Sequence, residues 1–185
     1  MPPIPPSLPR SRRLQHPGPP VARRLQSCEG PQALQLRLQL SPGQSLHEAV
    51  VRPLAARGVR SAALSLLGGW FSALQYCVGP ATPEGPAVAA YAPPVAAGAA
   101  CLIAGEATLG LDLAGAPMVH CHAVLRDGQG ALCGGHLMTR DCVIGDAPIT
   151  ARVTVFEHFD LRLSADAETA VSLFLPEYLP EVAQP

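Results

Sequence analysis

The sequence predicts an α+β (α/β) fold: one compact domain of mostly antiparallel sheet with one main helix. Three observations point there. Residues 33–40, ALQLRLQL, alternate strictly, with Leu34, Leu36, Leu38 and Leu40 on one face and Gln35, Arg37 and Gln39 on the other, as in a half-buried antiparallel strand. From Val59 onward, β-rich runs are cut again and again by Gly and Pro. Only one segment carries a full set of helix signals.

At 185 residues the chain is long enough for one proper core with tails. Residues 1–32 are too rich in Pro for helix or strand and contain no apolar stretch of signal-peptide type, so a disordered Pro/Arg-rich tail is expected. The body is expected over 33–176 and a C-terminal tail over 177–185. All thirteen basic residues are Arg. Arg10, Arg12, Arg13, Arg23 and Arg24 lie in the first 24 residues, which hold no acid, so the rest of the chain is acidic. A basic tail of this kind can touch nucleic acid or acidic lipid.

After the first strand, Ser41-Pro42-Gly43 turns the chain. Ser45 and Glu48 form a capping box, which predicts a helix from about Leu46 to Arg57, stopped by Gly58 and kinked at Pro53. His47 falls in its first turn and is expected to be exposed. Strands follow over 59–67, 70–78, 88–91, 99–103 and 107–113, with Gly68-Gly69 as a tight corner between the first two. A later set covers 149–156, 159–163 and 170–175. Residues 85–105 carry no charge, but Pro86, Pro93 and Pro94 exclude a membrane helix there. There is no internal repeat and no glycine-rich phosphate loop, and no nucleotide fingerprint surrounds Gly68-Gly69.

The six cysteines (28, 77, 101, 121, 133 and 142) show no C-x-x-C spacing and sit mostly in apolar runs, so they read as reduced thiols in a cytoplasmic protein.

Chemistry concentrates in residues 118–138. MVHCHAVL and ALCGGHLM flank the turn signal RDGQG, which predicts a β-hairpin. His120 and His122 share a strand face about 7 Å apart at Cα, and Cys121 points away. A His-X-His pair alone is more often solvated than metallated; a third His across the hairpin raises the odds. His136 joins the pair if the register puts it opposite 120 or 122. A two-residue loop at Asp127-Gly128 pairs it with 119, a three-residue loop over 127–129 pairs it with 120, and a bulge at Gly134-Gly135 would reset the parity. Three neutral imidazoles leaving one position open are the ligand set of a catalytic zinc site. His120, His122 and His136 are therefore the candidate metal ligands, for zinc or another divalent transition metal.

Taken together, the capped helix after Ser-Pro-Gly, the strand ending in Gly-Gly and the block GAPMVHCHAVLRDGQGALCGGHL resemble the PPC domain, conserved in plants and prokaryotes, over roughly 33–176. The resemblance implies a compact, mostly antiparallel domain that assembles as a homotrimer. It also implies a three-histidine metal site at His120, His122 and His136. Plant members bind DNA through a separate AT-hook with an Arg-Gly-Arg core. Pro9-Arg10-Ser11-Arg12-Arg13 lacks that Gly and would not follow the minor groove in the same way. The family fold is similar to that of α-acetolactate decarboxylase, whose zinc is also held by a His-X-His and a later His.

A catalytic site would need an acid/base partner, and Glu106, on the strand before the hairpin, is the candidate catalytic residue, with Glu157 and Glu168 behind it. His158 reads as a loop residue. Two expectations follow: a metal-dependent hydrolase or lyase for a small oxygenated molecule, or a trimeric binding or regulatory module that contacts DNA through its Arg tail. An acidic body favours the first.

Overall fold

The computed structural model describes residues 15–22, 26–81 and 85–180. The alternating leucines form β1 (Leu34–Leu40), and α1 (Leu46–Ala55) follows at once. Ser45 Oγ accepts from the Glu48 backbone N–H while the Glu48 carboxylate accepts from Ser45, so the predicted capping box is present. Gly58, at φ +71°, ends the turn after the helix, where Val59 N–H donates to Leu54 O. Pro53 lies in the last helical turn.

His47 departs from expectation: only 8 % of its surface is exposed. The first turn of α1 is pinned onto a neighbouring loop, with Leu46 N–H donating to Cys142 O and His47 N–H to Thr139 O, and this draws the side chain inward.

The two strands expected on either side of Gly68-Gly69 are one strand, β2 (Ala62–Cys77), and those expected over 99–103 and 107–113 merge into β3 (Val95–Leu111). These strands pair antiparallel on both sides of the glycines, with Leu67 opposite Ala104 and Gly69 opposite Leu102. The glycines bend β2 without breaking it. At φ +131°, a Cβ on Gly69 would lie 2.6 Å from the Ile149 side chain. The run 88–91 is not a strand; only an isolated bridge between Ala81 and Ala89 forms there.

The remaining strands are β4 (Pro117–Asp127), β5 (Leu132–Leu137), β6 (Val143–Ile144), β7 (Ile149–Val155), β8 (Phe159–Asp166) and β9 (Val171–Tyr178). The sheet runs β1-β7-β2-β5-β4-β3-β8-β9, and because β2 also pairs with β3, the path β2-β5-β4-β3 closes on itself. Alternation then sorts the side chains. Leu102, Leu109, Cys121 and Leu125 turn inward and are buried, together with Phe71 and Leu137. Each fully buried Leu or Phe contributes roughly 1.5–3 kcal/mol. Polar and titratable side chains of the same strands are left on the outer face.

The β8–β9 hairpin is held to this body by a buried carboxylate. Asp160 is 4 % exposed and pairs with Arg60 at 2.8 Å and Arg162 at 3.5 Å, while Ser61 Oγ accepts from Leu161 N–H. β9 ends at Tyr178, beyond the expected domain end. The described part of the N-terminal segment has no helix or strand but does contact this hairpin: His16 Nδ1 lies 2.5 Å from Glu168 Oε1, and Gly18 N–H donates to Glu168 O. Arg10, Arg12, Arg13, Arg23 and Arg24 lie outside the described residues.

Candidate metal centre

The hairpin turn settles the register. Asp127 Oδ1 accepts from the N–H groups of Gln129 and Ala131, Gly130 N–H donates to Asp127 O, and Gly130 takes φ +85°. The left-handed residue is therefore Gly130, and the loop is Gly128-Gln129-Gly130, one residue later than the three-residue loop considered from sequence. A type I turn with Asp at its start and Gly at its end explains the choice better than the Asp-Gly dipeptide does. The β3–β4 connection repeats it, with Asp112 Oδ1 accepting from Ala114 and Ala116 and Gly115 at φ +81°.

With that loop, His136 stands opposite His122, a pairing neither simple loop count gave. Gly134 and Gly135 keep the ladder in register, without a parity change, at φ +151° and +146°. A Cβ on Gly134 would strike the Ala123 carbonyl, and one on Gly135 would sit 2.5 Å from the Cys77 carbonyl oxygen. The glycines thus let the backbones on both sides approach closely enough to fix His136.

The three imidazoles meet on the outer face. Ring centroids are 4.9 Å apart for His120–His122, 4.7 Å for His120–His136 and 5.4 Å for His122–His136. One ligand atom from each lies within 4.8 Å of the others. Burial, then His136 and His122 nearby, lowers the His120 pKa to about 4. Burial, then His122, lowers that of His136. These two rings are therefore neutral at pH 7, the form that binds metal.

Cys121 points inward and is fully buried, which pushes its thiol up to about 12 and removes it as a ligand, as alternation predicted. All six cysteines are free.

Two aromatic side chains flank the cluster, and the sequence reading named neither. The Tyr91 hydroxyl lies 3.3 Å from His136 Nδ1 with the rings 4.7 Å apart, and Phe174 of β9 meets the His120 ring edge-on at 6.5 Å. Gly110 makes room for Phe174, since a Cβ there would lie 2.6 Å from its ring. The available signal for Tyr91 was its rarity, as one of three tyrosines, beside Pro93-Pro94.

Glu106 sits opposite His122 on β3, so it shares the outer face, and its Oε2 accepts from Ser65 Oγ at 3.1 Å. It is not in the three-ligand group. Glu168 is engaged with His16 and the Val21 N–H. Glu157 and His158 lie in the β7–β8 connection, with His158 packed beside Gly30.

The donor set fits a divalent transition metal. Zinc–nitrogen bonds of about 2.0–2.1 Å put tetrahedral ligands roughly 3.4 Å apart. The ligand atoms already lie within 4.8 Å of one another, so side-chain rotation on the order of an ångström would bring them to that spacing. With the Tyr91 hydroxyl at Nδ1, His136 has Nε2 left for an ion, and a partner on the second nitrogen is how ligating histidines are oriented.

Comparison with solved structures shows the same fold at low identity. A metal-containing protein from Archaeoglobus fulgidus is 18 % identical, with a TM-score of 0.61 over 82 % of this chain and 99 % of that one. A plant- and prokaryote-conserved (PPC) protein from Pyrococcus horikoshii is 16 % identical, with a TM-score of 0.60 over 82 % and 100 %. The "Putative DNA-binding protein" of Ralstonia eutropha JMP134 is 19 % identical, with a TM-score of 0.60 over 75 % and 88 %. Comparison with curated protein sequences gives no match. The profile of the Plants and Prokaryotes Conserved (PCC) domain matches residues 29–155, which include α1, the closed strands and all three histidines, and the chain belongs to that family.

Proposed function

We propose that the protein is a metal-dependent hydrolase or lyase acting on a small oxygenated molecule, with zinc or another divalent transition metal held by His120, His122 and His136. The observation that carries this reading is the convergence of three imidazoles, ligand atoms within 4.8 Å, on one outward face. The metal-containing Archaeoglobus fulgidus protein of the same fold supports it. Three protein ligands leave a position open, as catalytic rather than structural zinc sites do. Such a metal supplies Lewis acidity toward a carbonyl or carboxylate oxygen.

The chain's own groups supply the rest. Glu106, one strand from His122, is the group to take or give a proton, and Ser65 Oγ orients its carboxylate. Tyr91 fixes the His136 ring, and Phe174 limits water on the His120 side. The test is a screen of esters and oxo-acids with and without chelator. Turnover should stop with chelator and return with metal, and Glu106→Gln should lower kcat by roughly 10²–10⁴-fold while metal content stays the same. Turnover indifferent to chelator would refute the reading.

The outer face also supports self-association. Beside the row Ser65, Glu106, His122 and His136 run Leu67, Ala104, Val124 and Gly134, with Trp70, Ile103 and Leu132 adjoining. Leu67, Ile103, Val124 and Leu132 are 44, 45, 51 and 69 % exposed. Covering this strip in a closed threefold ring would bury it and bring a neighbouring copy beside the histidines.

A trimeric binding or regulatory module is the second reading, favoured by this strip and by the name of the Ralstonia eutropha protein. DNA contact would then fall to the Arg-rich N-terminal segment, because the residues after it carry eight Arg against fourteen acids. The free thiols fit a reducing cytoplasm, and among the described residues no helix is long and apolar enough to cross a membrane.

A further inference from the structure

A second polar cavity lies at the start of α1, with the buried His47 on its wall. This cavity of about 390 Å³ is lined by Gln44, His47, Glu48, Val51, Arg52 and Arg140. That volume is within the roughly 300–1,000 Å³ of small-ligand sites. None of its residues belongs to the three-histidine cluster.

The side chains in it are left in an unusual state. His47 is 92 % buried as a residue, its ring makes no hydrogen bond to the described residues, and it lines the cavity. No buried side-chain nitrogen or oxygen among the described residues lacks a partner, so the His47 ring nitrogens are open to the cavity, where an anion can meet them. Burial, then the Arg140 guanidinium, lowers the His47 pKa, and the neutral ring keeps one N–H to donate.

Arg52 and Arg140 likewise form no ion pair among the described residues. Glu48 is the single acid on the wall, and its carboxylate is taken up by the Ser45 N–H and hydroxyl in the capping box. The first-turn N–H groups are also occupied, by Cys142 O, Thr139 O and Ser45 Oγ, so the site rests on side chains and not on the helix end.

We infer that this cavity binds a small oxyanion, phosphate or carboxylate, between the guanidinium groups of Arg52 and Arg140 with the His47 imidazole as the inner donor. Guanidinium forks match both kinds of oxyanion, and two of them with one neutral donor hold a compact anion better than a point charge would. The site is independent of the metal centre, so it stands or falls separately from the proposed activity.

The test is calorimetric titration of the full chain, freed of metal by chelator so that the three histidines retain nothing for an anion to bind. Inorganic phosphate and succinate are titrated separately at matched ionic strength. Saturable binding of one anion per chain is expected, and Arg52→Gln and Arg140→Gln should each weaken it about tenfold or more. Arg126→Gln, an exposed cation on β4 away from the cavity, should leave it unchanged. Binding of phosphate alone or succinate alone would identify the source of the oxyanion. Absence of saturable binding for both, or an equal loss in Arg126→Gln, would overturn the inference.

Discussion

His122 and His136 face each other directly across the β4–β5 ladder, and the two glycines before His136 make that pairing possible. The three-histidine cluster thus depends on backbone as much as on its imidazoles. Gly134 and Gly135 hold φ values that other residues rarely adopt, with carbonyls of both neighbouring strands where a Cβ would go.

Gly135→Ala should therefore lower stability by about 1–3 kcal/mol and weaken metal binding although no ligand is altered. Urea unfolding and metal titration check this. An unchanged unfolding midpoint with full metal content would show that the close approach to the Cys77 carbonyl is unimportant.

Tyr91→Phe removes a hydroxyl 3.3 Å from His136 Nδ1 and keeps the ring that packs beside it. Loss of such an orienting partner typically costs roughly 10–100-fold in metal affinity. The melting temperature of the metal-free protein should stay the same, since Tyr91 is 58 % exposed.

His47 gives a pH signature. Its folded pKa is lowered from 6.5, first by burial and then by Arg140, so the fold prefers the neutral ring. Its contribution is complete above the unfolded value and is lost as pH falls below 6.5 toward the folded one, because the unfolded chain then binds the extra proton. In anion-free buffer, wild type should lose more melting temperature than His47→Gln between pH 7.5 and 5. Parallel curves would show that the ring is not held neutral.

Much of this was legible in the sequence, for local reasons. The leucine alternation of β1, the Ser45–Glu48 cap and the shared face of His120 and His122 are set by periodicity and neighbouring residues. What escaped was set by distant contacts. Gly68-Gly69 reads as a break, but pairing with β3 on both sides carries β2 through it. His47 reads as exposed, but the 139–142 loop closes over the first helical turn. Tyr91 and Phe174 reach the histidines from segments 29 residues before His120 and 38 residues after His136, which no spacing rule links.

The proposed threefold ring over the exposed strip is open to a mass measurement. Light scattering of wild type at micromolar concentration should give three times the 19.2 kDa chain mass, and Val124→Glu should shift it toward one. A wild-type monomer would remove both the ring and any neighbour from the metal centre.

Elemental analysis of purified protein after zinc loading and desalting, beside His136→Ala, reads the three-histidine cluster itself. The account predicts one tightly held metal per chain in wild type and its loss in the variant, with the fold intact because His136 lies on the outer face. Equal metal in both proteins, or none retained by wild type, would contradict it.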